Sequence, residues 1–440
     1  MPQGTSRTQR SIRHSADMGA LGLCAAILMG ASPAGAEPLS WPEAVREAVR
    51  WHPSVTEAVA RVNERRQEVE VAKAGYRPQL SASLGSGYDN LVDSGWRPRA
   101  NLSASQMLFD FGKTKASVEI AEAGTRVGHA DLLLAVDSLI RDTSYAVIEI
   151  QRDRALLEVA RDQLASIEDI NELVHHRYRL GASTKSDALQ AQARVQAADV
   201  SRQEIEAEQR RWESNLAYLL GREVAPEISA DPPPGLHGAC ERGALDWSLV
   251  PAVLQARAER DEAFASLERS RADRLPTVSI GANGGTDLFD PTSRRAQYSI
   301  GFNVSTPLYS GGARRARARG AAYALGAAEA AVARVRHDVM RQIAEARQQL
   351  ESLRVVVDTL AARRDSMDET GRLYRLQYLD MGTRTLVDLL NAEQELHQAR
   401  FDLVNTRFDL RRLEASCVFQ TGSGRLLFGL SGMTVRGIML

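Results

Sequence analysis

The segment MGTRTLVDLL, residues 381–390, points to the fold because a related segment occurs in the first half of the chain. That segment is LGASTKSDAL, residues 180–189, which lies 201 residues earlier. Both contain Gly-x-x-Thr-x-x-Asp, in which the glycine ends one helix in the left-handed conformation and the threonine caps the next. The aspartate then completes a capping box. Each segment is therefore predicted to be the tip of a helical hairpin. The tip residues are Gly181, Thr184, Asp187, Gly382, Thr385 and Asp388.

A second repeated motif indicates that the whole chain is a tandem duplication. QMLFDFG at 106–112 matches TPLYSGG at 306–312 at an offset of 200 residues. Pro53 and Pro78 match Pro251 and Pro276 at an offset of 198. A stretch rich in proline and glycine separates the halves and is predicted to be a linker. The predicted bounds are a signal peptide 1–36, a first repeat 37–222, a linker 223–243, a second repeat 244–422 and a C-terminal tail 423–440.

The residues before each tip show the heptad repeat of a long coiled-coil helix. Steps of alternately four and three residues over 132–178 meet apolar side chains at all but three positions. The exceptions are Thr143, Asp153 and Asn171. The same steps cross 332–378 in the same register. A helix over 113–180 would be roughly 100 Å long. Its expected neighbours are antiparallel helices at 186–220 and 386–419, together with helices of other copies.

Four segments ahead of these helices alternate apolar and small polar residues, which is the period of a β-strand. They are residues 80–88, 97–109, 277–285 and 298–304. Roughly 9 to 11 residues is the length that a tilted strand needs to cross a bilayer. A soluble sheet packed on a helix has the same period; the secretory signal and the polar loop within each pair favour membrane strands. Because four strands cannot close a membrane barrel, we expect the chain to oligomerise, with two or three copies.

The first 36 residues are predicted to be a secretory signal peptide. Three arginines precede an apolar stretch at 18–31, and AGA at 34–36 supplies the small residues of a cleavage site. Leu23 before Cys24 makes a poor lipobox, so a lipoprotein is not expected. The mature chain retains Cys240 and Cys417, for which a disulfide and two buried thiols are both open. After cleavage, no apolar stretch approaches the roughly 18 residues of a membrane helix.

The composition gives little support to catalysis or nucleic-acid binding. The formal net charge is −1, and the histidines lack ligand spacing, so no metal and no cofactor is expected. Phosphate-binding and nucleophile motifs are absent. The basic stretch ARRARARG at 313–320 begins a helix just after a strand, which favours a solvated or headgroup-facing surface over a nucleic-acid site. Candidates for an interfacial aromatic girdle, with ordinary packing as the alternative, are Tyr88, Trp96, Tyr298 and Tyr309.

With these features the chain resembles the TolC family of outer-membrane channel proteins. The resemblance rests on the duplication, the strand pairs begun by proline, PLYSGG at 307–312 and the tip GTRTLVDLL at 382–390. It implies an α+β membrane protein with a tandem-duplicated TolC-like fold, four membrane β-strands per chain and a 12-stranded barrel in a homotrimer. A long periplasmic coiled-coil α-helical barrel would extend from it. The resemblance also implies outer-membrane lipid of a Gram-negative cell, a periplasmic adaptor (membrane fusion) protein, and an inner-membrane ABC exporter or proton-driven pump as partners.

By the same resemblance, the second tip carries the gate and the pore constriction. Arg384 would hold the periplasmic entrance shut by bonding a neighbouring helix, with Asp187 as the acceptor. Asp388 would face the narrowest part of the pore, where three carboxylates would attract cations. Asn391 stands where the family pattern has a second acidic ring, which predicts a weaker cation trap. The adaptor would dock at the tips, around Gly181, Thr184, Gly382 and Thr385.

The resemblance therefore implies a passive trimeric exit duct for type I protein secretion or small-molecule efflux, without enzymatic activity. The alternative is a periplasmic coiled-coil scaffold without a pore, which would share the heptads but would not need the four strands. A general diffusion porin would have many more strands per chain and no helices of this length. The cargo is left open.

Overall fold

The computed structural model describes residues 38–89, 95–241, 243–287, 297–306 and 308–440. The predicted signal peptide lies outside the described residues. From Pro38 to Leu440 the chain forms one compact unit, so the predicted bounds within it stay predictions. Among the helices that the structure describes, none has the length and apolar character needed to cross a membrane.

Three helices, α1, α2 and α5, begin at capping or proline signals in the sequence. Ser40 and Glu43 form a capping box at the start of α1, while Pro53 and Pro251 begin α2 and α5. The described helices are α1 Trp41–Trp51, α2 Pro53–Lys73, α3 Lys113–Arg179, α4 Lys185–Leu220, α5 Pro251–Ala272, α6 Ala313–Leu376, α7 Leu386–Gln420 and α8 Gly424–Leu427. The long helices and their antiparallel partners therefore lie where the heptads and tips predict them.

The four predicted strands form one antiparallel sheet in the order β1-β2-β3-β4. Their bounds are β1 Gln79–Asp89, β2 Gly95–Phe109, β3 Thr277–Asp287 and β4 Gln297–Ser305. Each repeat contributes a hairpin, and β2 pairs with β3 to join the repeats. Gln79 pairs with Ser105, and their repeat counterparts Thr277 and Ser305 also pair. The two hairpins thus share one register.

One face of this sheet is apolar and the other is polar. Register pairs such as Ala82–Leu102 and Ile280–Phe302 bring apolar residues of neighbouring strands onto one face. Small polar residues alternate with them along each strand, as in the Ser81–Ser103 pair on the other face, whose hydroxyls lie 2.6 Å apart. Phe302 is 76% exposed. A soluble sheet packed on a helix would bury this face, so the pattern favours a lipid-facing surface.

The predicted heptad positions of α3 form its buried seam. With 67 residues, α3 is roughly 100 Å long. Even the polar exceptions Thr143 and Asp153 are buried. The buried seam residues are Leu132, Val136, Leu139, Thr143, Ala146, Ile150, Asp153, Leu157, Ala160, Ile167 and Val174. The heptad prediction is confirmed for this helix, which packs against α2, α4, α5 and α7.

The second long helix, α6, is far less covered than its counterpart. Of its 64 residues four are buried, against 26 of 67 in α3. The buried ones are Val339, Ala346, Leu350 and Gly371, which lie on the predicted seam. Off the seam, Tyr323 is 80% exposed and Val355 64%. A helix of this length does not retain such surface in water without a further partner.

The linker crosses the second hairpin as a strap. Cys240 in the linker and Cys417 near the end of α7 form a disulfide with a Cα–Cα distance of 5.3 Å. The guanidinium of Arg347 in α6 donates a 2.8 Å hydrogen bond to the carbonyl of Cys240. His237 Nδ1 lies 2.9 Å from the buried carboxyl of Glu414. The strap therefore ties α6 to α7, and the question left open for the cysteines is resolved as a disulfide.

The C-terminal tail is part of the main core. Phe428, Leu430, Val435 and Ile438 are buried with Trp41 and the middle of α3. The tail ends in a small hairpin of β5 Thr434–Val435 and β6 Ile438–Met439. Its Arg425 pairs with buried Asp137 of α3 and donates to the carbonyl of Leu249 at 2.8 Å.

Candidate functional site

The two hairpin tips have the predicted capping geometry. Gly181 and Gly382 have φ of +77° and +61°, the left-handed conformation in which glycine is favoured. In the first tip, the hydroxyl of Thr184 accepts from the Asp187 backbone N–H at 3.1 Å, and the Asp187 carboxylate accepts from the Thr184 N–H at 3.1 Å. In the second tip, the corresponding distances between Thr385 and Asp388 are 3.2 and 3.1 Å. Both capping boxes are confirmed.

The capping aspartates are partly exposed and ionised. The backbone N–H of Thr184 and then its hydroxyl hold the pKa of Asp187 below its ordinary value. The N–H of Thr385 and then its hydroxyl do the same for the pKa of Asp388. Hydrogen bonds to the charged form favour it, and the positive end of the helix adds to this effect. Each tip therefore presents a fixed negative charge at neutral pH.

The helices reach their tips in different ways. After α3, Gly181 N–H bonds to the Tyr178 carbonyl at 3.0 Å and Ala182 N–H to the Arg177 carbonyl at 2.8 Å, an ordinary helix end. After α6, residues Gln377–Met381 form a π-helical turn before Gly382. Such turns are rare and occur often at functional sites. The helical periodicity of the sequence does not reveal this π-helical turn.

The cation Arg384 lies against its own hairpin. Its guanidinium stacks 4.3 Å from the ring centre of Tyr374, and its Nε donates to Gln377 Oε1 at 3.1 Å. At the matching position of the first tip stands Ser183, which donates to Asp187 at 3.0 Å. In the part of the chain that the structure describes, Arg384 and Asp187 make no contact within one copy. The predicted bond between them would therefore join two copies.

The two tips pack on each other through residues that the motifs did not single out. Arg177 of α3 stacks 4.9 Å from the ring centre of Tyr378 and donates to its backbone carbonyl at 3.4 Å. A buried cluster supports this contact. Its members are Ile170, Val174, Ala188, Ala191, Tyr378, Leu386, Leu389 and Leu390. The tips of the two hairpins therefore pack together around one buried cluster.

Asn391 is exposed one turn after the second tip. Its side-chain carbonyl lies 3.5 Å from Nη2 of Arg194 in α4, whose guanidinium also bonds Gln394. The predicted second pore residue is thus neutral and faces a cation.

In the described residues, no group of three or more histidine, cysteine, aspartate or glutamate side chains could hold a metal ion. The chemistry of the tips is therefore that of fixed charges, caps and packed hairpins.

Comparison with known proteins places these features in a family. A sequence profile of the family described as outer membrane efflux protein matches residues 44–222 and 249–418. The two matched ranges follow the two repeats of the chain.

Relatives of this chain match it over most of its length. Outer membrane efflux protein BepC of Brucella suis is 25% identical over 385 residues, covering 84% of this chain and 82% of BepC. Outer membrane protein TolC of Vibrio cholerae is 25% identical over 373 residues, covering 78% of this chain and 81% of TolC. The crystal structure of outer membrane protein VceC of Vibrio cholerae has a TM-score of 0.75 at 21% identity, covering 87% of this chain and 96% of VceC. The fold is thus shared over 87% of this chain.

Proposed function

Because the chain belongs to the outer membrane efflux protein family, we propose that it is a trimeric outer-membrane channel that serves as the passive exit duct of a tripartite export system. The recognition of a TolC-like protein from its sequence is confirmed, as is the TolC-like fold class. Membership also confirms the outer-membrane location and sets the chain apart from enzymes. The number of copies, the gate and the partners are the parts proposed here.

The observation that carries this proposal is the open sheet with one apolar face. Four strands end at two unpaired edges, β1 and β4. Unpaired backbone groups are prohibitively costly in lipid, so each edge needs a strand from another copy. A head-to-tail contact from β4 of one copy to β1 of the next closes into a ring. Three copies supply twelve strands, enough to enclose a channel.

The duplication gives the register of this contact. Within the chain, β2 of the first repeat pairs with β3 of the second, with Ala104 opposite Ala282. At the repeat offsets of 200 and 198 residues, the counterparts of these residues are Val304 and Leu84. We therefore expect Val304 of one copy to lie opposite Leu84 of the next, both on the apolar face.

The helices support the same assembly. The exposed apolar side chains of α6 lie off its buried seam, whereas α3 is covered along much of its length. Helices of neighbouring copies would cover them and complete a helical tunnel. Opening follows when an adaptor engages the tips at Gly181, Thr184, Gly382 and Thr385, while an ABC exporter or a proton-driven pump supplies energy.

The gate and the constriction belong to the second tip. We assign closure to Arg384 with Asp187 of a neighbouring copy, and cation attraction to Asp388 with Asn391 beside it. Support comes from the exposure of Arg384 and Asn391, the lowered pKa of both aspartates and the π-helical turn that precedes Arg384. Both assignments are tested by conductance below.

The assembly is tested by cross-linking and mass. Val304→Cys combined with Leu84→Cys should form a disulfide between chains, and light scattering in detergent should give three chains per particle. The matched control is Val304→Cys with Gly85→Cys, whose side chains would point to opposite faces and should not cross-link. A monomer, or equal cross-linking of both pairs, would contradict the proposed ring.

A further inference from the structure

An amphipathic cleft lies where the sheet gives way to helices. It has a volume of about 680 Å³ and is formed by the start of α3 and the end of α5. Exposed Phe111, Phe264 and Leu275 form its apolar lining, and its cations are Lys115, Arg271 and Arg274. Glu119 and Glu268 also line the cleft and lie 3.7 and 2.6 Å from Lys115 and Arg271, so the net positive charge of the cleft comes from Arg274. Arg274 is exposed and has no acidic partner among the described residues.

The start of α6 extends this cationic surface. Arg314 donates to the backbone carbonyl of Asp273, the residue before Arg274, so α6 begins beside the cleft. Arg315 and Arg319 follow on one helical face, four residues apart. Both are exposed, and in the described part of the chain neither has an acidic partner. From 313 to 328 the helix contains four arginines and no acid.

This arrangement runs against the stability of the helix. Cations near a helix N-terminus are unfavourable because that end carries a partial positive charge. In the first repeat an acidic residue stabilises the start of the helix, because Asp110 accepts hydrogen bonds from the N–H groups of Gly112 and Thr114 at 3.0 and 2.6 Å. In the second repeat Ser310 replaces this aspartate and arginines follow. This difference between the two repeats favours a surface at the start of α6 that binds an external anion.

We propose that the cleft and the adjoining arginines bind the phosphate headgroup of an anionic phospholipid in the periplasm-facing leaflet. This inference rests on the proposed insertion of the sheet into the outer membrane. The cleft lies within a few residues of the strand ends, at the level where headgroups meet an inserted sheet. Its apolar lining suits the glycerol and upper acyl chains, and arginine suits phosphate because its donors form a planar fork.

Native mass spectrometry of the full chain in detergent tests the proposal. The probes are phosphatidylglycerol, phosphatidylcholine and inorganic phosphate. The variant is Arg274→Gln with Arg315→Gln and Arg319→Gln. A matched control replaces three exposed arginines that have no acidic partner in the described chain and lie on other elements: Arg50, Arg161 and Arg210. Arg161 is 48 residues beyond the start of α3, roughly 70 Å along it.

The unaltered protein and the control should bind phosphatidylglycerol more tightly than phosphatidylcholine. The variant should lose about a hundredfold in affinity for phosphatidylglycerol, since each cation near an anionic lipid surface contributes roughly fivefold. Equal loss in the control would overturn the proposal, because it would mean non-specific attraction. So would inorganic phosphate that competes as well as the lipid, which would identify a free phosphate site.

Single-channel recording distinguishes arginines that face lipid from arginines that face the lumen. If the arginines face the lumen instead, the variant would shift the reversal potential of single channels in a salt gradient, and the lipid assignment would be wrong. We expect no shift. Failure of the channel proposal itself would appear differently, as an unaltered protein that conducts no ions and forms no trimer.

Discussion

Within each hairpin tip, the residues that form the turn can be distinguished from the residues that we assign to the gate. Both keep the glycine, threonine and aspartate that turn one helix into the next. Among the positions at which they differ is the residue before the threonine, where Ser183 supports its own aspartate and Arg384 stacks on Tyr374. The caps could be predicted from sequence because their partners lie three residues apart. The partners of Arg384 could not, because they depend on the π-helical turn that brings Gln377 and Tyr374 beneath it.

Arg384→Ala should raise the conductance of the closed channel in planar bilayers, and Asp187→Ala should do the same. An exposed ion pair contributes about 0.5–1 kcal/mol, and three copies acting together give a shift toward the open state of roughly tenfold or more. The control is Arg372→Ala on α6, the helix that leads to this tip, which removes a cation paired with Glu369 at 2.7 Å. Conductance that stays at the unaltered level would remove Arg384 from the gate.

Asp388→Asn should lower the cation preference of the channel, while Asp187→Asn, at the same capping position of the other tip, should change it less. Because the pKa of Asp388 lies below its ordinary 3.8, the preference of the unaltered channel should persist at pH 5. It should decline only as the pH falls below about 3.8 and the carboxylates are protonated. Reversal potentials measured from pH 3 to pH 7 check both expectations, and equal losses in the two variants would contradict the assignment.

At the scale of elements, α3 buries a charge that its heptad pattern leaves unexplained. Asp153 occupies a seam position and is 1% exposed. Arg152 Nε is its nearest cation at 3.5 Å, but Arg152 lies closer to Glu149, at 2.6 Å. Burial raises the pKa of Asp153 to about 6, an effect that Arg152 partly opposes. Sequence periodicity predicts that the position is buried, yet the protonation of an off-pattern side chain depends on which cations the fold brings near.

The raised pKa makes stability depend on pH in a definite direction. The unfolded carboxyl loses its proton near pH 3.8 and the folded one near pH 6, so this group lowers the free energy of unfolding as the pH rises through that window. Asp153→Asn should therefore stabilise the protein by about 1–3 kcal/mol at pH 8 and hardly at all at pH 4.

Thermal unfolding in detergent at the two pH values measures this effect. Asp169→Asn on the same helix, where the side chain is exposed and has no cationic partner among the described residues, should change stability at neither pH. A stabilisation by Asp153→Asn that is equal at both pH values would show that the carboxyl keeps its ordinary pKa.

The periodicity of the sequence could not predict that the four strands pair into one sheet. The alternation in each strand predicts its length and its two faces, but pairing across a gap of more than 160 residues leaves no local pattern. The β2–β3 contact that links the repeats became visible only in the structure. Once known, it turns the duplication into a specific register for the contact between copies.

At the scale of the whole molecule, the strap from the linker to α7 holds the second hairpin to the core. The disulfide closes a loop between positions 177 residues apart, which strongly restricts the unfolded chain. Cys240→Ser should lower the free energy of unfolding by about 2–5 kcal/mol. Cys417→Ser should cost the same, and the double variant should cost no more than either single one, because all three remove one bond.

Melting of the unaltered protein with and without a reductant provides the matching measurement. Reduction should lower its melting temperature to that of the serine variants and leave theirs unchanged. Additive losses in the double variant would mean that the thiols act separately and that the covalent strap does not form.

The fused repeats have a consequence for how the proposed ring assembles. A ring of three chains has six boundaries between hairpins, and β2–β3 pairing already makes three of them within single chains. Six half-length chains would need five successive encounters at low concentration in the periplasm, whereas three fused chains need two. Fusion halves the number of particles that must meet and fixes equal numbers of the two hairpins. The tandem chain thereby makes assembly less sensitive to dilution, and lets the two tips diverge without losing their strict alternation around the pore.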